Sequence, residues 1–564
     1  MMQTGKGRSV GGLVAAVPVL AALVVFALYF QAQPHWLADP DAQDYAQLGR
    51  QLAAGRGPIT RYLPWNGVAY LAERGTAGAG WDAGAPWPNI VRFPLTPVLM
   101  ALGFGVFGPT DEAVHWPAGL AFVLAAGCAG LLGARAYGAW AGLAAGLVAA
   151  CLPMLVNYSL TGLTEPLLGL LILGVLVCVA PTRAGGRPGL LRLTVGGVVF
   201  GLAVLNRYDT ALLALPLLAL WLLPRPDWRR AGLAFFVPAA VFVVPWALYL
   251  LLVAGAPLFN LQPASIAAQA SGRADGLGWY LPEYVQPTAL WANTPSRAAR
   301  LAWDEFAATP NHLRKLLGWP WLLGGAAACV LALARALLVR GRGAGNGTGS
   351  GLRLVLFLLA AVLLRAGLAS VLGLNLQRHF VPLVPLLVVV VAGEATWWVA
   401  WLVGRIVRPD RIQPPVLAGV QALVVLLLAL PGLVIIWPFL VPPAAPPGPP
   451  TRAGEVEARP ENLARLAELV GPDAVVASNV PWSVAWQADR RAVPLPPSVE
   501  DTALLERRFG IRVDAIYVAG QVAIADAPRS WRAWDDLRRR GAPPPGYELV
   551  ESLANGGRIY RKVR

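Results

Sequence analysis

Apolar runs of roughly 20 residues alternate with short polar connectors along most of the 564-residue chain. Each run is long enough to cross a hydrocarbon core of about 30 Å at about 1.5 Å rise per residue. The pattern predicts eleven spanning helices, at about 10–31, 112–134, 138–156, 165–181, 190–206, 209–224, 231–254, 317–339, 353–373, 380–403 and 415–439. A further apolar piece at 93–108 is short and carries Pro94 and Pro97, so it reads as an interfacial or re-entrant helix rather than a span. From about residue 459 the period changes to short β-branched runs separated by amphipathic segments. Strands are expected at 474–477, 492–495, 515–518 and 547–550, with helices at 461–469 and 530–538. The expected architecture is a polytopic all-α membrane domain at 1–441, a Pro-rich linker at 442–458, and a small α/β domain at 459–564.

Composition agrees with the pattern. Hydrophobic residues make up 56% of the chain and charged residues 14%, with a mean hydropathy of +0.55, which excludes a soluble protein of this size. The net charge of +15 does not signal nucleic-acid binding, because the arginines are scattered between apolar runs rather than gathered in one basic domain. Their placement encodes orientation instead. Alternate loops carry Arg135; Arg183, Arg187 and Arg192; Arg225, Arg229 and Arg230; Arg340, Arg342 and Arg353; and Arg405, Arg408 and Arg411. The intervening short loops carry only Arg207 and Arg378. With Lys6 and Arg8 ahead of the first run, which reads as an uncleaved signal anchor, the N-terminus is expected in the cytoplasm. The Gly-rich connector at 341–351 is then cytoplasmic, and the C-terminal domain lies outside a plasma membrane. Cys128, Cys151, Cys178 and Cys329 all fall in apolar runs and suggest neither disulfides nor a zinc site.

Ionisable residues gather at the predicted outer helix ends. After the first span comes Asp39-Pro40-Asp41-Ala42-Gln43-Asp44-Tyr45, opening an amphipathic helix on which Asp41 and Asp44 share a face. Carboxylates at a helix start fit capping as well as catalysis, and spacing leaves both open. Glu165 sits at the mouth of another span, Arg207 and Asp209 in one outer turn, and Arg378 and His379 in another. Singly these are ordinary interfacial residues. Together they supply what lipid-linked sugar transfer requires: a carboxylate to take the acceptor proton and guanidiniums to neutralise a departing phosphate.

The same residues carry a family resemblance. The ordered segments Asp41-x3-Tyr45 leading to Gly55, Arg92-Phe93-Pro94-Leu95, Phe107-Gly108, Leu163-Thr164-Glu165-Pro166, Asn206-Arg207-Tyr208 and Arg378-His379-Phe380-Val381-Pro382 resemble the GT-C glycosyltransferases. The likeness is to the branch of dolichyl-phosphate-mannose protein mannosyltransferases and aminoarabinose lipid A transferases, and it extends over about 30–440. It implies an inverting transferase with two juxtamembrane helices in the first outer loop. The donor would be a polyprenyl-phosphate sugar, and the acceptor a lipid, polysaccharide or protein of the envelope. Asp41 would be the essential acid, as general base or acceptor-positioning group. Where the family often has an Asp-Glu pair, this chain has Asp41-Ala42 with Asp44 nearby, which leaves the division of the role between Asp41 and Asp44 open. Glu165 would be a second acid at a donor or metal site, and Arg207 and Arg378 would bind the lipid phosphate. His379 would join them at phosphate or metal, against its more ordinary role as a hydrogen-bonded structural residue. A divalent metal is a candidate cofactor.

The second long outer loop contributes Trp279, Tyr280, Tyr284, Trp291 and Trp303, suited to a sugar-stacking lid but more ordinarily read as an interfacial aromatic belt. The C-terminal domain shows no nucleophile, metal or phosphate-loop spacing and is expected to be a cap or an acceptor-recognition module. A transporter or flippase would concentrate polar residues near the midplane. Here only Arg365 and Glu394 lie well inside spans. A non-catalytic assembly scaffold is the other rival, and it would tolerate loss of Asp41.

Overall fold

A computed structural model describes residues 7–37, 39–74, 82–181, 186–273, 278–288, 295–340, 347–372, 377–406, 414–441, 460–520, 531–553 and 556–563. Lys6, Arg183, Trp291, Arg342, Arg408, Arg411, the linker at 442–458 and residues 341–346 of the Gly-rich connector lie outside the described residues.

All eleven predicted spans are helical. Among the described residues seven are long and apolar enough to cross a membrane alone, including Gly12–Ala32, Asp111–Ala136 and Trp228–Ala254. The other four are shorter. Ala139–Cys151 stops at Pro153 and resumes as Pro153–Tyr158, Glu165–Val179 has 15 residues, and Leu190–Asn206 has 17. The fourth runs from Tyr208 to Leu222 and winds from a tight 3₁₀ turn through α into a wide π turn. Small residues let these helices pack backbone to backbone. A Cβ on Gly142 would lie 2.4 Å from the Gly130 carbonyl, and one on Gly197 would lie 1.9 Å from that of Phe235. The chain is a multi-pass membrane protein.

The piece at 93–108 forms the 13-residue helix Leu95–Phe107. Like the four shorter helices it is not long enough to cross a membrane alone, and it packs on Pro40–Ala53, where Gly49 admits the side chain of Met100. Three helices, Pro40–Ala53, Trp65–Arg74 and Leu95–Phe107, thus fill the first long loop, along with a two-stranded ribbon of β1 (Ile59–Thr60) and β2 (Trp87–Pro88).

The C-terminal region folds around a five-stranded sheet of β3 (Val475–Ser478), β4 (Arg491–Pro494), β5 (Ala515–Val518), β6 (Tyr547–Ser552) and β7 (Arg558–Lys562). Strand order is β4-β3-β5-β7-β6, parallel among the first three and antiparallel thereafter. Its β4 edge is covered by the first loop. Leu63 N–H donates to the Ala492 carbonyl and Ala492 N–H to that of Arg61, so residues 61–63 extend the sheet in parallel. This pairing protects an otherwise open edge. Trp65 adds an indole N–H bond to the Pro494 carbonyl, and Arg50 forks onto the Ala485 and Trp486 carbonyls and Asp489. The sheet therefore grips the helix that carries the predicted acidic residues.

Candidate active site

The site starts from the cap of Pro40–Ala53. Asp39, in extended conformation, accepts the N–H of Asp41 at 2.8 Å and of Ala42 at 3.4 Å. Capping is therefore done by Asp39, and Pro40 at the first helical position loses no useful N–H. Asp41 and Asp44 are released for other partners.

Both partners meet at Arg92. Its Nη2 donates to Asp41 Oδ1 at 2.5 Å and its Nε to Asp44 Oδ2 at 2.6 Å, while the guanidinium lies 5.1 Å over the Tyr45 ring. Asn89 fixes the turn behind it, accepting the N–H groups of Val91 and Arg92 and donating to the Arg92 carbonyl. Arg378 closes the other side of Asp41, donating from Nη2 to Oδ2. Burial alone would raise the Asp41 pKa. The charges and hydrogen bonds of Arg92 and Arg378 outweigh it and hold the carboxyl well below the usual carboxylate range. Asp44 is shifted the other way, because burial dominates over Arg92 and the Gln47 amide.

Arg207 and His379 form the opposite wall. Arg207 faces Glu165 Oε1 at 3.6 Å and Asp209 Oδ1 at 3.3 Å, and its Nη2 lies against His379 Nδ1. That contact requires Nδ1 to be the acceptor and leaves the imidazole proton on Nε2. Arg365 donates to the His379 carbonyl at 2.7 Å and faces Asp209 Oδ2 at 3.5 Å. The motifs are tied together beneath these charges. Thr96 donates to Asn206 Oδ1, Asn206 donates to the Thr164 carbonyl, and the rings of Phe93 and Tyr208 meet edge-on at 4.6 Å.

Asp41, Arg92, Glu165, Arg207, Asp209, Arg365, Arg378 and His379 all line one cleft of about 330 Å³, with Tyr45, Tyr208 and the amides Asn260 and Gln262. Five of the six predicted site residues are brought together there. Asp44 is the exception, 2% exposed and turned to Arg92, Gln47 and the protein interior. Arg92, Asp209 and Arg365 had no assigned role. The Arg92-Phe93-Pro94-Leu95 segment marks the first of these in the sequence, whereas Arg365 reads as a mid-span charge within helix Gly347–Leu372. Trp279, Tyr280 and Tyr284 do not line the cleft. Tyr280 packs on Trp531 of the C-terminal region and Tyr284 on Tyr70, while Trp303 is exposed on Pro295–Arg340.

A divalent metal does not fit this donor set. Among the described residues no group of three His, Cys, Asp or Glu side chains is arranged to hold an ion, and each acid of the cleft faces a guanidinium.

A family model described as dolichyl-phosphate-mannose-protein mannosyltransferase matches residues 88–253, which hold Arg92, Glu165 and Arg207. ArnT from Cupriavidus metallidurans, solved bound to undecaprenyl phosphate, superposes with a TM-score of 0.56 at 15% identity, covering 97% of this chain and 98% of that one. The oligosaccharyltransferase AglB from Archaeoglobus fulgidus, solved with an inhibitory peptide and a dolichol-phosphate, gives 0.59 at 11%, with 96% and 79% covered. The chain has the GT-C fold. Among curated proteins no sequence matches it. Within this fold most of the ordered motifs supply one wall, one charge or one tie of the same cleft, whereas Phe107-Gly108 ends helix Leu95–Phe107 away from it, with Phe107 stacked on Trp116.

Proposed function

We propose that the chain transfers a sugar, with inversion, from a polyprenyl-phosphate donor to an envelope acceptor on the extracytoplasmic face of the membrane. Asp41 is the general base or acceptor-positioning group. Its carboxylate takes the proton of an acceptor hydroxyl as the oxygen bonds to the anomeric carbon. The bond from that carbon to the phosphate oxygen breaks, and the polyprenyl phosphate leaves with the electron pair. Arg378 and Arg207 stabilise the charge developing on the phosphate, with His379 and Glu165 orienting Arg207. Asp44 positions Arg92 rather than meeting substrate.

The observation that carries this reading is the position of Asp41, at the cleft wall between two guanidiniums, beside four arginines in all. Such an array complements a phosphate ester next to a reacting sugar. The lipid phosphates in the ArnT and AglB structures and the mannosyltransferase family match support the same substrate class. The test is a transfer assay with purified protein, defined polyprenyl-phosphate sugars and envelope acceptors. Sugar transfer by the native chain that is lost in a folded Asp41→Asn variant is the expected result. Full turnover without the carboxylate would overturn the assignment, and accessibility of residue 500 from the cytoplasm would overturn the proposed orientation.

A further inference from the structure

Every guanidinium of the cleft already faces a carboxylate. Arg92 holds Asp41 and Asp44, Arg207 holds Glu165 and Asp209, Arg365 faces Asp209, and Arg378 holds Asp41 and Glu165. These four cations and four anions cancel. An arriving phosphate meets no spare positive charge, so it must take a guanidinium away from a carboxylate.

The four exchanges are unequal. Withdrawing Arg92 or Arg207 would strip a partner from Asp44 or Glu165, each 2% exposed, and a buried carboxylate without its cation is strongly destabilising. Arg365 is itself only 3% exposed. Arg378, at 28%, is the most accessible of the four, and Asp41, at 21%, keeps Arg92 when Arg378 leaves. Glu165 lies 3.9 Å from Arg378 Nε, a different nitrogen of the guanidinium from the Nη2 that holds Asp41. It can keep the arginine in place while Nη2 changes partner.

We infer that Arg378 is an exchangeable clamp: at rest it occupies Asp41, and the donor phosphate draws it off, so that donor binding frees the carboxylate to receive the acceptor proton. This rests on the sugar-transfer reading above. The direction of exchange suits that chemistry. As the sugar leaves, the phosphate gains negative charge and holds Arg378 more tightly, while Asp41 gains a proton and needs it less. The depressed basicity of Asp41 at rest agrees, since a carboxylate held by two guanidiniums is a poor base. Donor would therefore bind before acceptor reacts, and the site is guarded against using water as acceptor when no donor phosphate is present.

The inference is tested by direct binding of undecaprenyl phosphate to the full-length protein in detergent. Asp41 competes with the phosphate for Arg378, so Asp41→Asn and Asp41→Ser should each bind the lipid about tenfold tighter than the native chain, a change of ~1.4 kcal/mol. Arg378→Ala should bind it more weakly, and adding Asp41→Asn to Arg378→Ala should give no further tightening. A carboxylate that merely repels the phosphate through space would tighten binding equally in both backgrounds, and that additive result overturns the clamp. So does unchanged or weaker binding in both Asp41 variants. The two levels fail separately: an Asp41→Asn variant that is inactive but binds the lipid no tighter removes only the clamp, whereas one that is fully active removes the catalytic reading.

Discussion

Two places in this bundle bury arginine against carboxylate, and they are built to opposite ends. In the cleft, Asp41 is shared by Arg92 and Arg378 and stays 21% exposed. Between the helices Pro295–Arg340 and Val384–Ile406, Arg335 meets Glu394 at 2.7 Å with exposures of 2% and 0%. Arg335 is there sandwiched by Tyr137 and Trp397 at 5.1 and 5.3 Å, and glycines make the room: a Cβ on Gly351 would lie 2.2 Å from its Nη2. A closed pair of this kind joins helices and offers nothing to a substrate. Intramembrane charge is thus no sign of chemistry by itself. Access and shared partners separate the reactive cluster from the structural one.

The largest effect that sharpens this contrast is expected at Asp41. Asp41→Asn should lower kcat for sugar transfer by about 10²–10⁴-fold, the usual contribution of general acid–base catalysis. The loss of thermal stability in detergent should be smaller than on breaking the closed pair, because Arg92 retains Asp44 and Arg378 retains Glu165. A large stability loss with kcat intact would reverse the roles of the two sites.

The mirror experiment is Glu394→Gln. It leaves the Arg335 charge buried and uncompensated, at a cost of about 3–5 kcal/mol, read as a lower unfolding midpoint. Arg335→Met combined with Glu394→Leu should recover most of that loss. The folded fraction should transfer sugar at the native rate, and a kcat defect per folded molecule would draw this pair into the mechanism.

Arg92→Lys comes third. An ammonium cannot fork between Asp41 and Asp44 as a guanidinium does, so turnover should fall about tenfold, the loss of ~1.4 kcal/mol for one charge-assisted bond. The KM for donor should move less than kcat, since Arg92 orients the carboxylate rather than the phosphate.

The helices were legible because their apolar spacing states them directly, the short one at Leu95–Phe107 included. The five clustered residues were legible because each lies at or beside a helix end, and those ends meet at one cleft. What spacing could not convey is how ends far apart in sequence are joined. Asp41 and Asp44 are equivalent on a helical wheel, yet Asp44 turns inward because Gln47, bonded to Thr60 and the Arg61 N–H, holds that side of the helix against the sheet. Arg92 gained its role from the Asn89 turn, and Arg365 from the height of the turn at His379, neither of which has a hydrophobic signature. The aromatic loop shows the same limit: Tyr280 packs on Trp531 and Tyr284 on Tyr70, partners that only the folded chain supplies.

The smallest effect concerns Asp39, where capping and charge can be separated. Burial, then the neighbouring Asp41 charge, push its pKa up to about 6, against the opposing pull of Arg378 and the two N–H bonds it accepts. The folded state therefore binds this proton more tightly than the unfolded chain does. Its stabilising contribution is complete below the ordinary carboxylate pKa of about 4 and is lost as pH rises through about 6. Asp44 acts in the same direction, whereas Asp41, with its depressed pKa, stabilises the fold above about pH 4 and loses that contribution only in stronger acid. The unfolding midpoint of the native chain should thus fall between pH 4.5 and 7 relative to Asp39→Asn, which caps a helix equally well but carries no titrating proton (about these limits, from the carboxylate range). Asp39→Ala should lose the same pH dependence and, in addition, about 1 kcal/mol of cap stabilisation at every pH. If Asn and Ala behave alike, the helix bearing Asp41 is held by the C-terminal sheet and Arg92 rather than by its cap, and the release of Asp41 from capping duty has no energetic consequence.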